Sequence, residues 1–244
     1  MLKIIELKTK LISFDLWETL ITDRPQGKKI NSRSVQRVKK LSLYLNNKGH
    51  VISNDQIKKS LNILSEKCTQ DHNRGKDIDF HNRIGKLLEL LNIKQDNLIK
   101  NQIGDILDNC FLKYPPQLFP KSIELLKLLS KEYKLCLTSN TGITSPKTYY
   151  KYLEMIGIKN LFDKIYLSNE IKVAKPSIKI FKLILNDFSL NPENIIHIGD
   201  NIFTDIFGAK KAGFKAIYVN KRKGVDNDLA FNPDHTVTDI SELL

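Results

Sequence analysis

No long apolar run occurs anywhere in the 244 residues, and cysteine is scarce, with three in all. The first absence excludes a membrane-spanning helix on pattern. It extends to the N-terminus, where Lys3, Glu6, Lys8 and Lys10 interrupt "MLKIIELKTKLISFD", so the apolar core of a signal peptide is not expected. Cys68, Cys110 and Cys136 stand far apart in apolar surroundings, which excludes a disulfide framework and argues against a thiolate metal site. Internal repeats and low-complexity tails are missing too. A cytoplasmic protein without a membrane partner is the reading. Acid is also short: 27 Asp and Glu against 39 Lys and Arg leave a formal charge of +12. The lysines are spread over the polar positions of helical patterns and form no stripe, so nucleic acid is not the expected partner, whereas an anionic small molecule suits the charge.

What is present divides into three parts. Lys10 to Ile21 reads as a strand and a loop. Residues 24–118 are helical in pattern throughout. Val35, Val38, Leu41 and Leu45 share one face, with Gly49 as a stop signal. Ser53 or Asn54 caps a second helix carrying Ile57, Leu61, Leu64 and Cys68. Ile84, Leu87 and Leu91, then Ile99, Ile103, Ile106 and Cys110, repeat the period twice more. After the proline-stiffened connector "YPPQLFP" strands and helices alternate, the strands being "YKLCLTSN", "KIYLSNE", "NIIHIGD" and "KAIYVN". Such alternation predicts an α/β fold with a Rossmann-like parallel sheet covered by helices on both faces. The strand ending at Asp15 joins that sheet. Residues 1–23 and 119–244 therefore form the core domain, and the all-helical segment 24–118 is an insertion after its first strand.

An open parallel sheet binds ligands outside the carboxyl ends of its strands. Here those ends carry Asp15, then Ser139 and Asn140, then Gly199 and Asp200 with Asp205 five residues on, while Lys175 precedes a helix expected from Pro176. Taken singly, each has a plain reading. Asp200 and Asp205 suit a turn and a helix N-terminus, Lys175 a solvated loop, and Ser139 a helix cap. His197 and Cys136 alternate within apolar strands and read as core. Together the polar residues describe a site. Two close carboxylates repel unless a cation lies between them, and oxygen ligands suit a hard ion such as Mg2+. A lysine neutralises a carboxylate and a bound phosphoryl group, a serine hydroxyl donates to phosphoryl oxygens, and an ionised aspartate can attack phosphorus.

These residues, in this order, resemble the haloacid dehalogenase-like hydrolase superfamily over essentially the whole chain. "FDLWETL" matches its first motif with Asp15 and Thr19, Ser139 its second, Lys175 in "VAKPSIKIF" its third, and "IGDNIFTDIFGAKKAG" its fourth with Asp200 and Asp205. The helical insertion is similar to the family's type 1 cap. The resemblance implies Asp15 as nucleophile, and Ser139, Asn140 and Lys175 as phosphoryl-binding residues. It also implies Asp15, the Trp17 carbonyl, Asp200 and Asp205 around Mg2+, a small phosphorylated substrate, and a monomer or homodimer.

Trp17 departs from that pattern. The family's phosphatases usually carry a second aspartate there, which protonates the leaving oxygen and then activates water, typically worth about 10²–10⁴ in rate. An indole does neither. Glu18 adjoins it, but successive side chains of an extended segment point opposite ways. The family's dehalogenases have an aromatic residue at this place, yet they lack the acid that Asp200 supplies. A phosphatase confined to good leaving groups is the expectation. A 2-haloacid dehalogenase, and a weakly active or non-catalytic binding protein, are the alternatives.

Overall fold

The computed structural model describes residues 8–23, 32–221 and 232–244. Strand β1 (Leu11–Phe14) is buried along its whole length. A two-residue strand, β2 (Ile21–Thr22), follows it. Four helices come next: α1 (Arg33–Asn47), α2 (Asn54–Asn73), α3 (Phe80–Leu90) and α4 (Asn97–Lys113). The chain continues through β3 (Gln117–Leu118), α5 (Ser122–Leu129), β4 (Lys134–Ser139), α6 (Pro146–Met155), β5 (Lys164–Leu167) and α7 (Ser168–Ile171). It ends with α8 (Ile178–Phe188), β6 (Ile195–Gly199), α9 (Gly208–Lys211), β7 (Lys215–Val219) and β8 (His235–Val237). Six strands pair in parallel in the order β5-β4-β1-β6-β7-β8.

The expected α/β architecture is present, with β1 at the centre. Ile12 and Phe14, with Leu135, Leu137, Ile196 and Ile198, pack on one face against α5 and α6. Leu11, Cys136 and Ile195 face the other way, toward Phe181 and Ile184 of α8. Burial on both faces explains why the central strands read as continuous apolar runs. Each fully buried Leu or Ile contributes about 1.5–3 kcal/mol over its exposed state. Cys136 and His197 are core residues, both fully buried.

Helices α1 to α4 enclose a separate apolar cluster that includes Leu41, Leu45, Ile57, Leu64, Ile84, Leu87, Ile103 and Leu107. Their starts are set by local chemistry. Ser53 and Gln56 form a reciprocal capping box at α2, and the Asp79 and Asp96 carboxylates accept from Asn82 N and Ile99 N, both at 2.9 Å. Val35 leaves the expected face and is 60% exposed. The turn between α2 and α3 is fastened to the segment before α8. Ala174 N donates to Gly75 O at 3.3 Å, and Lys76 bridges to Val173. Gly75 has φ +71°, and a Cβ there would meet Ser177 Cβ at 2.6 Å. Ser168 Oγ donates to the buried Asp77 at 2.6 Å, Arg83 pairs with Asp77, and Arg83 Nη1 donates to Thr141 O at 2.9 Å.

Three elements add to the expectation. The proline-stiffened connector contains a short strand, because Gln117–Leu118 pairs antiparallel with Ile21–Thr22. Strand β8 extends the sheet beyond β7. A π-helical stretch, Ile202–Phe207, precedes α9 after the acidic loop. Residues 24–31, where the helical insertion was expected to begin, lie outside the described residues. No helix among the described residues is long and apolar enough to cross a membrane.

Candidate active site

Because β1 lies between β4 and β6, the carboxyl ends of these three strands adjoin. That brings Asp15, Ser139 and Asp200 to one crevice, where the sheet order reverses direction. Asp15 N donates to Ile198 O at 2.8 Å, which anchors its backbone to β6. Lys175 enters from the loop before α8, and Asn140 fixes it there: Asn140 Nδ2 donates to Lys175 O and Lys175 N to Asn140 Oδ1, both at 2.8 Å. Its Nζ donates to Asp15 Oδ1 at 2.7 Å and lies 2.6 Å from Asp205 Oδ1. Ser139 is fully buried, and its hydroxyl makes a long 3.4 Å bond to Asn140 O.

Asp205 lies under the strand end because residue 199 is glycine; a Cβ there would sit 2.3 Å from Asp205 Cγ. Both its oxygens are engaged. Oδ2 accepts from Asn201 N at 3.0 Å, and Oδ1 takes Lys175 and His197 Nε2, the latter at 3.1 Å. Since an ionised carboxylate only accepts, His197 Nε2 carries the proton, and Nδ1 accepts from Ser13 Oγ at 2.9 Å. Ser13 in turn lies 2.9 Å from Thr138 Oγ1. Burial holds His197 below its ordinary pKa, so it stays neutral in this chain of bonds. Burial alone would raise Asp205, but Lys175 and His197 hold it well below the usual carboxylate range.

The other two acids behave oppositely. Burial pushes Asp15 up to about 6, with Lys175 pulling against it and Asp205 adding to it. Asp200 is pushed up to about 8 by burial and by the charges of Asp15 and Asp205. Burial works against the Lys175 ammonium, yet the two carboxylates it touches raise its pKa above the ordinary value. One oxygen from each of Asp15, Asp200 and Asp205 lies within 4.8 Å of the others. All the donors are hard oxygens, and three crowded carboxylates carry more negative charge than the single Lys175 ammonium offsets. The residues therefore fit a hard divalent ion.

Trp17 is half-buried; its Nε1 donates to Tyr149 Oη at 3.0 Å, and its ring meets Phe111 edge-on at 6.3 Å. Glu18 has φ +54° and accepts from Thr22 Oγ1 at 2.9 Å. Beside Trp17 and Asn140 a cavity of about 340 Å³ runs between α1 and the β4–α6 loop, with Arg33, Arg37 and His72 in its wall. Sequence reasoning missed these three cations. Arg33 and Arg37 are spaced to share a helix face, but nothing local distinguishes them from the surrounding lysines.

A family model described as haloacid dehalogenase-like hydrolase matches residues 12–219. A glyceraldehyde 3-phosphate phosphatase from Pyrococcus furiosus is 33% identical over 109 residues, which are 43% of this chain and 45% of that protein. The match thus spans less than half the length of that relative. Two solved structures are similar in fold. A magnesium-bound HAD-hydrolase, YfnB, from Bacillus subtilis superposes with a TM-score of 0.64 at 19% identity, covering 96% of each chain. A 2-haloacid dehalogenase from Pseudomonas syringae gives 0.66 at 21% identity, again covering 96% of each.

Proposed function

This chain belongs to the haloacid dehalogenase-like hydrolases, and from that premise we propose that it is a magnesium-dependent phosphatase of small phosphorylated molecules. The observation that carries the reading is the acid at Asp200, with an oxygen within 4.8 Å of those of Asp15 and Asp205, and raised in pKa by burial and by their charges. A carboxylate there is costly without a cation and useful with one. In this reading Asp15, the Trp17 carbonyl and Asp200 hold the ion. Asp205, the third acid of the cluster, completes the ion's surroundings and also orients Lys175 through Oδ1. The ion, when bound, would neutralise charge on the phosphoryl oxygens.

The residues of the chain divide the remaining work. Asp15 attacks phosphorus, the bond to the leaving oxygen breaks, and an aspartyl phosphate forms. Water then hydrolyses it, returning Asp15 and releasing inorganic phosphate. Lys175 and the Ser139 hydroxyl hold the phosphoryl oxygens, and the Asn140 amide keeps the Lys175 loop in register. Trp17 supplies no proton, so the leaving group departs as a stable anion. Helices α1–α4 act as a cap over the crevice. The similarity to a glyceraldehyde 3-phosphate phosphatase favours phosphorus over carbon as the atom attacked. The aromatic residue at Trp17 and the dehalogenase fold neighbour favour the second reading, halide displacement from a 2-haloacid.

Purified protein with Mg2+ should hydrolyse p-nitrophenyl phosphate, and Asp15→Asn should abolish this while keeping the melting curve cooperative. Mg2+ should also raise the melting temperature, since it binds only the native state, and Asp200→Asn should blunt that rise. Chloride release from 2-chloropropionate without any phosphatase activity would replace this reading with the second.

A further inference from the structure

We propose that the cavity between α1 and the β4–α6 loop is a second oxyanion subsite, and that the substrate is a small phosphate ester carrying a further oxyanion at its far end. The inference rests on the phosphatase reading for its first half only, because the cavity's own chemistry calls for an anion. Arg33 and Arg37, one turn apart on α1, line it together with His72, and no Asp or Glu is among the described lining residues. The Arg33 guanidinium lies over the rings of Phe111, at 4.8 Å, and Trp17, at 5.4 Å, and pairs with Asp23, itself more than half exposed.

Arg37 is the less compensated of the two. Its Nη2 donates to Thr144 Oγ1 at 2.9 Å and to Ile143 O at 3.3 Å, both neutral. Its Nε is sealed from solvent and has no hydrogen-bond partner among the described residues. The nearby acid Asp108 is taken up by Ser145, through N at 2.9 Å and Oγ at 2.5 Å. Burial, and then Arg33, bring Arg37 down to about 10, which still leaves it charged at neutral pH. Two half-buried guanidinium groups close enough to repel one another favour an oxyanion that joins them.

Position and size supply the rest. Trp17 follows Asp15 by two residues and Asn140 adjoins Ser139, so the cavity opens beside the proposed phosphoryl position. Its 340 Å³ is near the lower limit of ligand pockets, roughly 300–1,000 Å³. A short carbon skeleton against Trp17, Phe111 and Tyr149, phosphorylated at one end and carrying a carboxylate or second phosphoryl group at the other, fits both.

The test compares 4-carboxyphenyl phosphate with 4-carbamoylphenyl phosphate, which match in size and leaving group and differ in end charge. With Mg2+ present, kcat/KM should favour the acid by about tenfold, as expected for one charge-assisted contact. Arg37→Gln should bring the ratio toward one, and Arg37→Lys should restore part of it. Malonate, against chloride of equal ionic strength, should raise the melting temperature of the wild type and of Asp15→Asn, but not of Arg37→Gln. A wild-type ratio near one with no malonate shift overturns the proposal, as does a ratio or malonate shift that Arg37→Gln leaves intact. If neither ester turns over while the Arg37-dependent malonate shift appears, the subsite stands and the phosphatase reading falls.

Discussion

Trp17 decides what kind of hydrolysis the crevice can perform. Its indole N–H is already committed to Tyr149, and its ring forms part of the cavity wall. Trp17→Asp should quicken hydrolysis of alkyl phosphates, whose leaving oxygen needs a proton, by up to about 10²–10⁴ less any packing loss around the vanished ring. It should change p-nitrophenyl phosphate hydrolysis much less, because that leaving group is stable as an anion. Comparing kcat/KM for both substrates in both proteins checks this, and equal effects would mean that the ring acts by shape alone. At this scale the sequence was legible wherever a residue sits at a strand end. Asp15, Ser139, Asn140, Lys175, Asp200 and Asp205 come together in one crevice. The division of labour among the acids was not legible, because it depends on Gly199 admitting Asp205 beneath the strand and on His197 and Lys175 occupying Asp205 Oδ1.

The turn from α2 to α3 carries a titration that the sequence did not announce. His72 Nε2 lies 3.0 Å from Asp77 Oδ2. Burial opposes its charge, but the hydrogen bonds with Asp77 and Cys68 prevail and raise it to about 9. A histidine with an ordinary value near 6.5 when unfolded then binds more protons in the native state between those two values. Its contribution, on the order of 2–3 kcal/mol, is complete below pH 6.5 and is lost as pH rises through 9. Urea titrations at pH 6 and pH 9.5 should show this fall in the wild type, and His72→Gln should flatten it. Helices and central strands were readable because their periods of 3.6 and 2 recur several times. Strands β2 and β3, two residues each, contain no period to read. Their pairing is set by partners almost a hundred residues apart, and Phe119 N donating to Leu20 O at 2.9 Å extends it.

Across the whole molecule, composition led to the expectation of an anionic small molecule, and Arg33, Arg37 and His72 line the cavity where the proposed subsite would hold it. Strand alternation foretold five of the six sheet strands and missed β8. It could not foretell how the helical segment is attached, since Ser168 and Asp77 are 91 residues apart and each looks ordinary alone. That attachment has a consequence for how the protein comes apart. Asp77 and Arg83 are buried, and both reach residues that follow the sheet's strands, Ser168 and the Thr141 carbonyl. Lifting α1–α4 away would leave these groups without their partners, and an unsatisfied buried polar group costs about 1–3 kcal/mol, more when charged. Neither part can therefore melt without weakening the other. Calorimetry should show a single endotherm whose van't Hoff and calorimetric enthalpies agree. Asp77→Asn should split it in two, releasing as separate foldons what the native chain unfolds as one.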